Sequence, residues 1–362
     1  MEQQNTELNS ISNTNNRASQ LVKQLFGYLF ALVCLVWVFH DIHFGELLKN
    51  MRNIHWGWVA LAVVCDILSY IFQGVRWRLL VQIKGDISVL RATQAIYVGL
   101  FTNEVLPLRI GELVRAYLVS RWVSADFVSI IPSIAVERLF DGIWLALAIG
   151  FAAIFVPLPK DLIEGEEILG AVVFIVTGLF LYLLFRKKAL IDENSRDNSV
   201  WKPLGFVKSL ISRLHVELQK IVMSRSFYIS FGVSLFILFF QILSFWLVML
   251  AYDLNLSFWA GAVVFLIVHL GTAIPNAPAN VGTYQFFCVV GLSIFGVEKI
   301  PAAAFSVLVF VILTIPLWII GFFALGRSGM TLTQIRNEIN KLLNTAKTEK
   351  KNMENLRGGI SE

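Results

Sequence analysis

The sequence predicts an all-α polytopic membrane protein, with about six full spans plus two re-entrant helical hairpins in an inverted-topology repeat. Three observations carry this reading. Of the 362 residues 57% are hydrophobic and only 15% charged, and the mean hydropathy is +0.70. Such a composition is too apolar for an ordinary water-soluble domain. Apolar runs near the roughly 20 residues that a bilayer requires recur along the chain. Two short Pro- and Gly-containing stretches, 103–112 and 274–282, then interrupt apolar legs that are too short to cross.

Taken in order, the first 20 residues are rich in Asn, Gln and Ser and read as a disordered cytoplasmic tail. The run Leu25–Phe39 lacks a small-residue cleavage site and reads as a retained first span. Full spans are expected at 22–40, 56–75, 132–156, 168–185, 227–251 and 301–325. Loop charge orients them. The segment 186–225 holds nine Lys or Arg residues, and the tail from Arg327 onward holds seven. Both belong on the cytoplasmic side by the positive-inside rule. Residues 76–91, with Arg76, Arg78, Lys84 and Arg91, also suit the inside, whereas 160–167 carries four acids against one base and suits the outside. The N- and C-termini both come out cytoplasmic.

The remaining apolar legs, 93–106 with 110–121 and 258–274 with 281–297, enter from opposite sides. A helix rises 1.5 Å per residue, so 12–15 residues cover only about two-thirds of a ~30 Å core. Two re-entrant hairpins are therefore favoured over four more spans. Residues 56–156 and 227–325 then share one element order in opposite orientations, an inverted repeat with its broken elements near the midplane. In this organisation 21–325 is the membrane region and 326–362 a basic tail.

Broken backbone at membrane depth has to be buried in protein or line a polar cavity, and intramembrane charge is expensive. Arg109, Glu112 and Arg115 recur at i, i+3 and i+6, where neighbouring members can pair. Pro107 stops the incoming leg, and Gly111 lets another backbone approach. The N–H groups of the returning helix beside Arg109 form a candidate anion site. In the next span Glu137 and Asp141 are spaced i, i+4 and Arg138 and Asp141 i, i+3. Helix bracing and function both stay open for this trio. Asp66 is expected to find a basic partner such as Arg76 or Arg78. His269 reads as a packing histidine. The second break carries no charge, only Asn276, Asn280, Tyr284 and Gln285, and is expected to form a tight turn that also serves as an outer gate.

Several classes are disfavoured. No GxxxxGK[ST], HExxH, GxSxG or Cys/His cluster is present, so an enzyme, a cofactor and a metal are not expected. Cys34, Cys65 and Cys288 lie in apolar segments and read as packing residues. The basic loop fits a topology determinant in contact with anionic lipids better than a nucleic-acid site.

The residues Asn103…Leu106-Pro107-x-Arg109-x-Gly111-Glu112-x-x-Arg115, Glu137-Arg138-x-x-Asp141, the Pro275…Gly282 loop and Gly296-Val297 resemble the lysylphosphatidylglycerol synthase transmembrane (flippase-like) family. The resemblance covers about residues 20–325. Better-known members move aminoacylated phosphatidylglycerol between leaflets, and relatives are associated with hopanoids or glycan-linked polyprenyl lipids. It implies a lipid-translocating domain, with Arg109, Arg115 and Arg138 as head-group candidates. The chain ends about 35 residues after its last span, so a stand-alone member without the soluble aminoacylating domain is expected.

The resulting expectation is a flippase of the cytoplasmic membrane. Its substrate set is Asn103, Glu104, Arg109, Glu112, Arg115, Glu137, Arg138 and Asp141, and its gate is Pro275, Asn276, Asn280, Gly282 and Gln285. The partner is an anionic, polyprenyl or hopanoid-type lipid, with a homo-oligomer left open. The rival readings are an integral-membrane enzyme or accessory subunit in polyprenyl- or glycan-linked lipid metabolism, and a scaffold.

Overall fold

The computed structural model describes residues 28–40, 54–106, 110–156, 175, 178, 216–273, 278–331, 333–334 and 337–338. The N-terminal tail, all but two residues of the expected span 168–185, most of the basic loop and most of the C-terminal tail lie outside the described residues. So do Pro107, Arg109, Pro275 and Asn276.

Every regular element among the described residues is helical. In chain order they are α1 Tyr28–Phe39, α2 Trp56–Val81, α3 Val89–Val105, α4 Gly111–Trp122 and α5 Phe127–Phe155. Then follow α6 over 216–222, α7 Arg225–Ala251, α8 Phe258–Gly271, α9 Thr283–Ser293 and α10 Lys299–Gly326. Helices α2, α7 and α10 are long and apolar enough to cross a membrane. At 1.5 Å per residue α5 is about 43 Å long, although its first half carries Glu137, Arg138 and Asp141. Large apolar side chains point outward, among them Ile154 at 73%, Phe322 at 63% and Phe323 at 64% exposure. Such a surface needs hydrocarbon around it. The chain is a multi-pass helical membrane protein.

The four hairpin legs are 17, 12, 14 and 11 residues long, each short of the roughly 20 residues of a span. Two boundaries differ from the sequence expectation. Helix α3 starts at Val89, not 93, because the Ser88 hydroxyl accepts from the Arg91 N–H at 3.3 Å and caps the helix. Helix α9 stops at Ser293, and the chain turns at Gly296, whose φ is +76°.

The described chain falls into two compact units, one of 1–63, 102–110 and 242–316, the other of 64–101, 111–241 and 317–362. In the first unit, Ser257 caps α8 by accepting from the Ala260 N–H, and α8 packs on α9, where Gly291 lies against Val264. Phe245 packs edge-on against both Phe265 and Phe305. The Ser244 hydroxyl donates to the Ala62 carbonyl at 2.8 Å.

In the second unit, Trp77, Leu80, Ile96, Leu118, Ile130, Phe140 and Ile221 form the interior. Helices α3 and α4 approach closely at Gly99, where a Cβ would lie 2.8 Å from the Gly111 carbonyl oxygen. Phe140 meets Phe227 and Phe231 of α7, and the Trp144 indole donates to the Phe231 carbonyl. These contacts hold α5 in place, and α5 carries the charges.

Candidate functional site

Helix α5 places Glu137, Arg138 and Asp141 within little more than one turn. Glu137 is buried at 2% exposure, a depth at which a lone carboxylate costs several kcal/mol. Two arginines meet it from other helices. Arg76 of α2 donates to Glu137 Oε1 at 2.7 Å, and Arg115 of α4 lies 2.9 Å from Glu137 Oε2. Arg76 also donates to Asp141 Oδ1 at 2.6 Å and to the Ser234 hydroxyl at 3.1 Å. Arg138 lies 3.4 Å from Asp141 Oδ2 and pairs with Glu112 of α4.

The six groups therefore form a line of alternating sign: Arg115, Glu137, Arg76, Asp141, Arg138, Glu112. Three arginines balance three carboxylates. The line also grades from dry to wet. The Arg76 and Arg115 side chains are 1% and 6% exposed, whereas that of Arg138 is 52% exposed. Arg115 is fixed further by the Trp77 ring, whose centroid is 4.6 Å from its guanidinium carbon. The Trp77 indole in turn donates to the Ser133 hydroxyl at 3.1 Å.

The structure thus joins Glu112, Arg115, Glu137, Arg138 and Asp141 of the expected substrate set. Asn103 and Glu104 close α3 half-buried, in the first unit, and have interactions of their own. Glu112 and Arg115 each pair with α5, whose Arg138 and Glu137 supply the partners; Arg109, the third member of that spacing, lies outside the described residues. One expectation changes. Asp66 takes neither Arg76 nor Arg78, since Arg76 serves Glu137 and Asp141 and Arg78 lies 3.6 Å from Asp86. Ten residues separate Asp66 from Arg76 on one helix, about 15 Å. Arg76 itself is the member that sequence reasoning missed.

At the second break, Ala279, Asn280 and Gly282 have φ of +57°, +52° and +89°. The Gln285 side chain accepts from the Gly282 N–H at 2.7 Å, and the Thr283 hydroxyl donates to the Asn280 carbonyl at 2.9 Å. Gly282 admits no Cβ, which would run into the Ala31 carbonyl. His269 is exposed and stacks on Phe265 at 5.7 Å. Among the described residues no group of His, Cys, Asp and Glu has the arrangement of a metal site, and the three cysteines are free and buried.

Short apolar legs, membrane-length apolar helices and a buried line of charge define a class, the polytopic helical membrane proteins with charged groups buried among their helices. The family described as the lysylphosphatidylglycerol synthase TM region matches residues 24–321, and the chain belongs to it. It is 23% identical over 303 residues to a UPF0104 membrane protein of Methanocaldococcus jannaschii, covering 78% of this chain and 87% of that one. It is 24% identical over 286 residues to a UPF0104 membrane protein of Methanothermobacter thermautotrophicus, covering 73% and 83%. A 131-residue stretch is 29% identical to the glycosyltransferase AglD of Haloferax volcanii, covering 36% of this chain and 21% of AglD. No solved structure matches.

Proposed function

We propose that this protein is a lipid transporter that moves a phosphate-bearing head group across the cytoplasmic membrane, with both termini inside. The observation that carries the reading is the graded charge line. Its dry end, Arg76, Arg115 and Glu137, is a fixed frame, and its half-exposed end, Arg138 between Glu112 and Asp141, is an exchangeable pair. Two non-bridging oxygens of a phosphate can accept two parallel hydrogen bonds from the Arg138 guanidinium, as the two oxygens of a carboxylate do. A head group can therefore displace Glu112 without leaving a buried arginine bare. Lipid tails stay in hydrocarbon, so only the head group needs a polar path. In this reading the two hairpins are re-entrant, 56–156 and 227–325 are inverted repeats, Arg109 adds positive charge at the inner break and the loop at 278–285 acts as a gate.

The reading is tested in proteoliposomes containing tail-labelled fluorescent phosphatidylglycerol, with leaflet exchange followed by dithionite quenching. Arg138→Ala is expected to abolish protein-dependent exchange. Exchange at the wild-type rate would remove Arg138 from the site and with it the main support for a head-group role.

A second reading has a specific observation in its favour, the stretch similar to the glycosyltransferase AglD. Here the chain would be an accessory to an enzyme of glycan-linked lipid metabolism. Mass spectrometry of the same vesicles separates the two, since a new lipid species favours the enzyme-linked role and an unchanged lipid in a new leaflet favours transport.

A further inference from the structure

Asp66 is a buried acid that the charge line does not use. It lies ten residues into the 26-residue α2, near the middle of a membrane-crossing helix. It is 6% exposed, and its Oδ2 has no hydrogen-bond partner. Among the described residues no basic side chain pairs with it; the two arginines on its own helix are committed to Glu137, Asp141 and Asp86. Tyr70, one turn further on, lies on the same face. Its ring packs edge-on against Tyr97 of α3 at 5.2 Å between centroids. Tyr97 is 4% exposed, its hydroxyl also lacks a partner, and it is within electrostatic reach of Asp66.

Two side chains, each more than nine-tenths buried and each with an oxygen that lacks a hydrogen-bond partner, thus lie within electrostatic reach of one another. An ionised carboxylate there without a cation costs several kcal/mol. We infer that Asp66 is a proton-binding site, taking up a proton from water at one face of the membrane and releasing it at the other as the protein moves between states. The step is a simple association of H⁺ with one carboxylate oxygen. In this proposal the Tyr97 hydroxyl, which makes no hydrogen bond in this structure, turns to donate to the anion or to accept from the acid. An alkali cation is the poorer occupant, because it requires a shell of several oxygens, whereas the face that Asp66 shares with Tyr70 carries the packed rings of Tyr70 and Tyr97. Among the described residues, the other titratable groups near Asp66 include Cys65 and Tyr70 on its own helix and Tyr97 on α3. Arg225 and Tyr228 lie in the first turn of α7.

The coupling half of this inference rests on the transporter reading; the proton site does not. Infrared difference spectroscopy of the purified protein reads the site directly. A protonated-carboxyl C=O band is expected to rise and fall reversibly with pH in the wild type and to be missing in Asp66→Asn. Tyr97→Phe, which keeps the ring, is expected to move the pH at which the band titrates. In the vesicle assay an imposed pH gradient is expected to accelerate wild-type exchange, while Asp66→Asn runs equally with and without it. Three results overturn the proposal: a band identical in wild type and Asp66→Asn, a band that responds to Na⁺ at fixed pH, or full gradient stimulation in Asp66→Asn. Should the wild type move no lipid while the band still titrates, the transporter reading fails and the proton site stands.

Discussion

Arg76 donates to Glu137 at 2.7 Å across 61 positions of sequence, and both side chains are almost fully buried. Removing one partner of such a pair leaves an uncompensated charge and costs about 3–5 kcal/mol. Arg76→Met is therefore expected to lower the detergent-solubilised melting temperature sharply. The double variant Arg76→Met/Glu137→Gln should regain part of the loss. A double variant no more stable than the single one would show that the pair is not the unit of stability.

Arg138 separates function from folding. Its side chain is half-exposed, and exposed ion pairs contribute only about 0–1 kcal/mol. Arg138→Ala should melt within a few degrees of wild type yet lose lipid exchange. Arg138→Lys should recover little activity, since a point charge does not reproduce the bidentate fork.

Close approach of α3 and α4 depends on Gly99. A Cβ there would sit 2.8 Å from the Gly111 oxygen and 3.2 Å from Arg115 Cβ. Gly99→Val is expected to cost about 1–3 kcal/mol by overpacking. It should also displace Arg115 from Glu137 and so lower exchange activity, measured by melting and by the vesicle assay together.

Outside the membrane-crossing helices, Glu217 of α6 pairs with Lys84 and, at 3.2 Å, with Lys220. Burial pushes its carboxyl up, but the hydrogen bonds from Lys84 and Lys220 and their charges outweigh it, so Glu217 titrates below its ordinary value. A depressed carboxylate stabilises the fold above its unfolded value, about pH 4.3, and the contribution fades as pH falls through the lower folded one. Acid titration of the melting temperature should show this loss below about pH 4. In Lys84→Met it should be smaller; an unchanged acid limb would rule the pair out as its source.

Hydropathy and loop charge made the helical class and the four short legs legible, because burial in lipid imposes length directly. Charge partners were less legible. Arg76 follows the apolar run of α2 and reads as a loop cation, yet Leu79, Leu80 and Val81 continue the helix beyond it. That continuation was the signal available in the sequence. Pairing of Glu112 with Arg138 depends on how α4 meets α5, which same-helix spacing does not encode. For Asp66 the distance along one helix already excludes Arg76, and composition alone gives no other partner.

The alternating line has an electrical consequence. Its three positive and three negative charges sum to zero, so shifting it as a body through the membrane field involves no net electrical work. Each uncompensated elementary charge would involve about 2.3 kcal/mol per 100 mV. In the proposed transport cycle, voltage then acts on the head group and on a proton carried at Asp66. In Asp66→Asn, which carries no proton, a neutral or zwitterionic lipid is then expected to exchange at a rate independent of membrane potential, whereas an anionic lipid should respond to it.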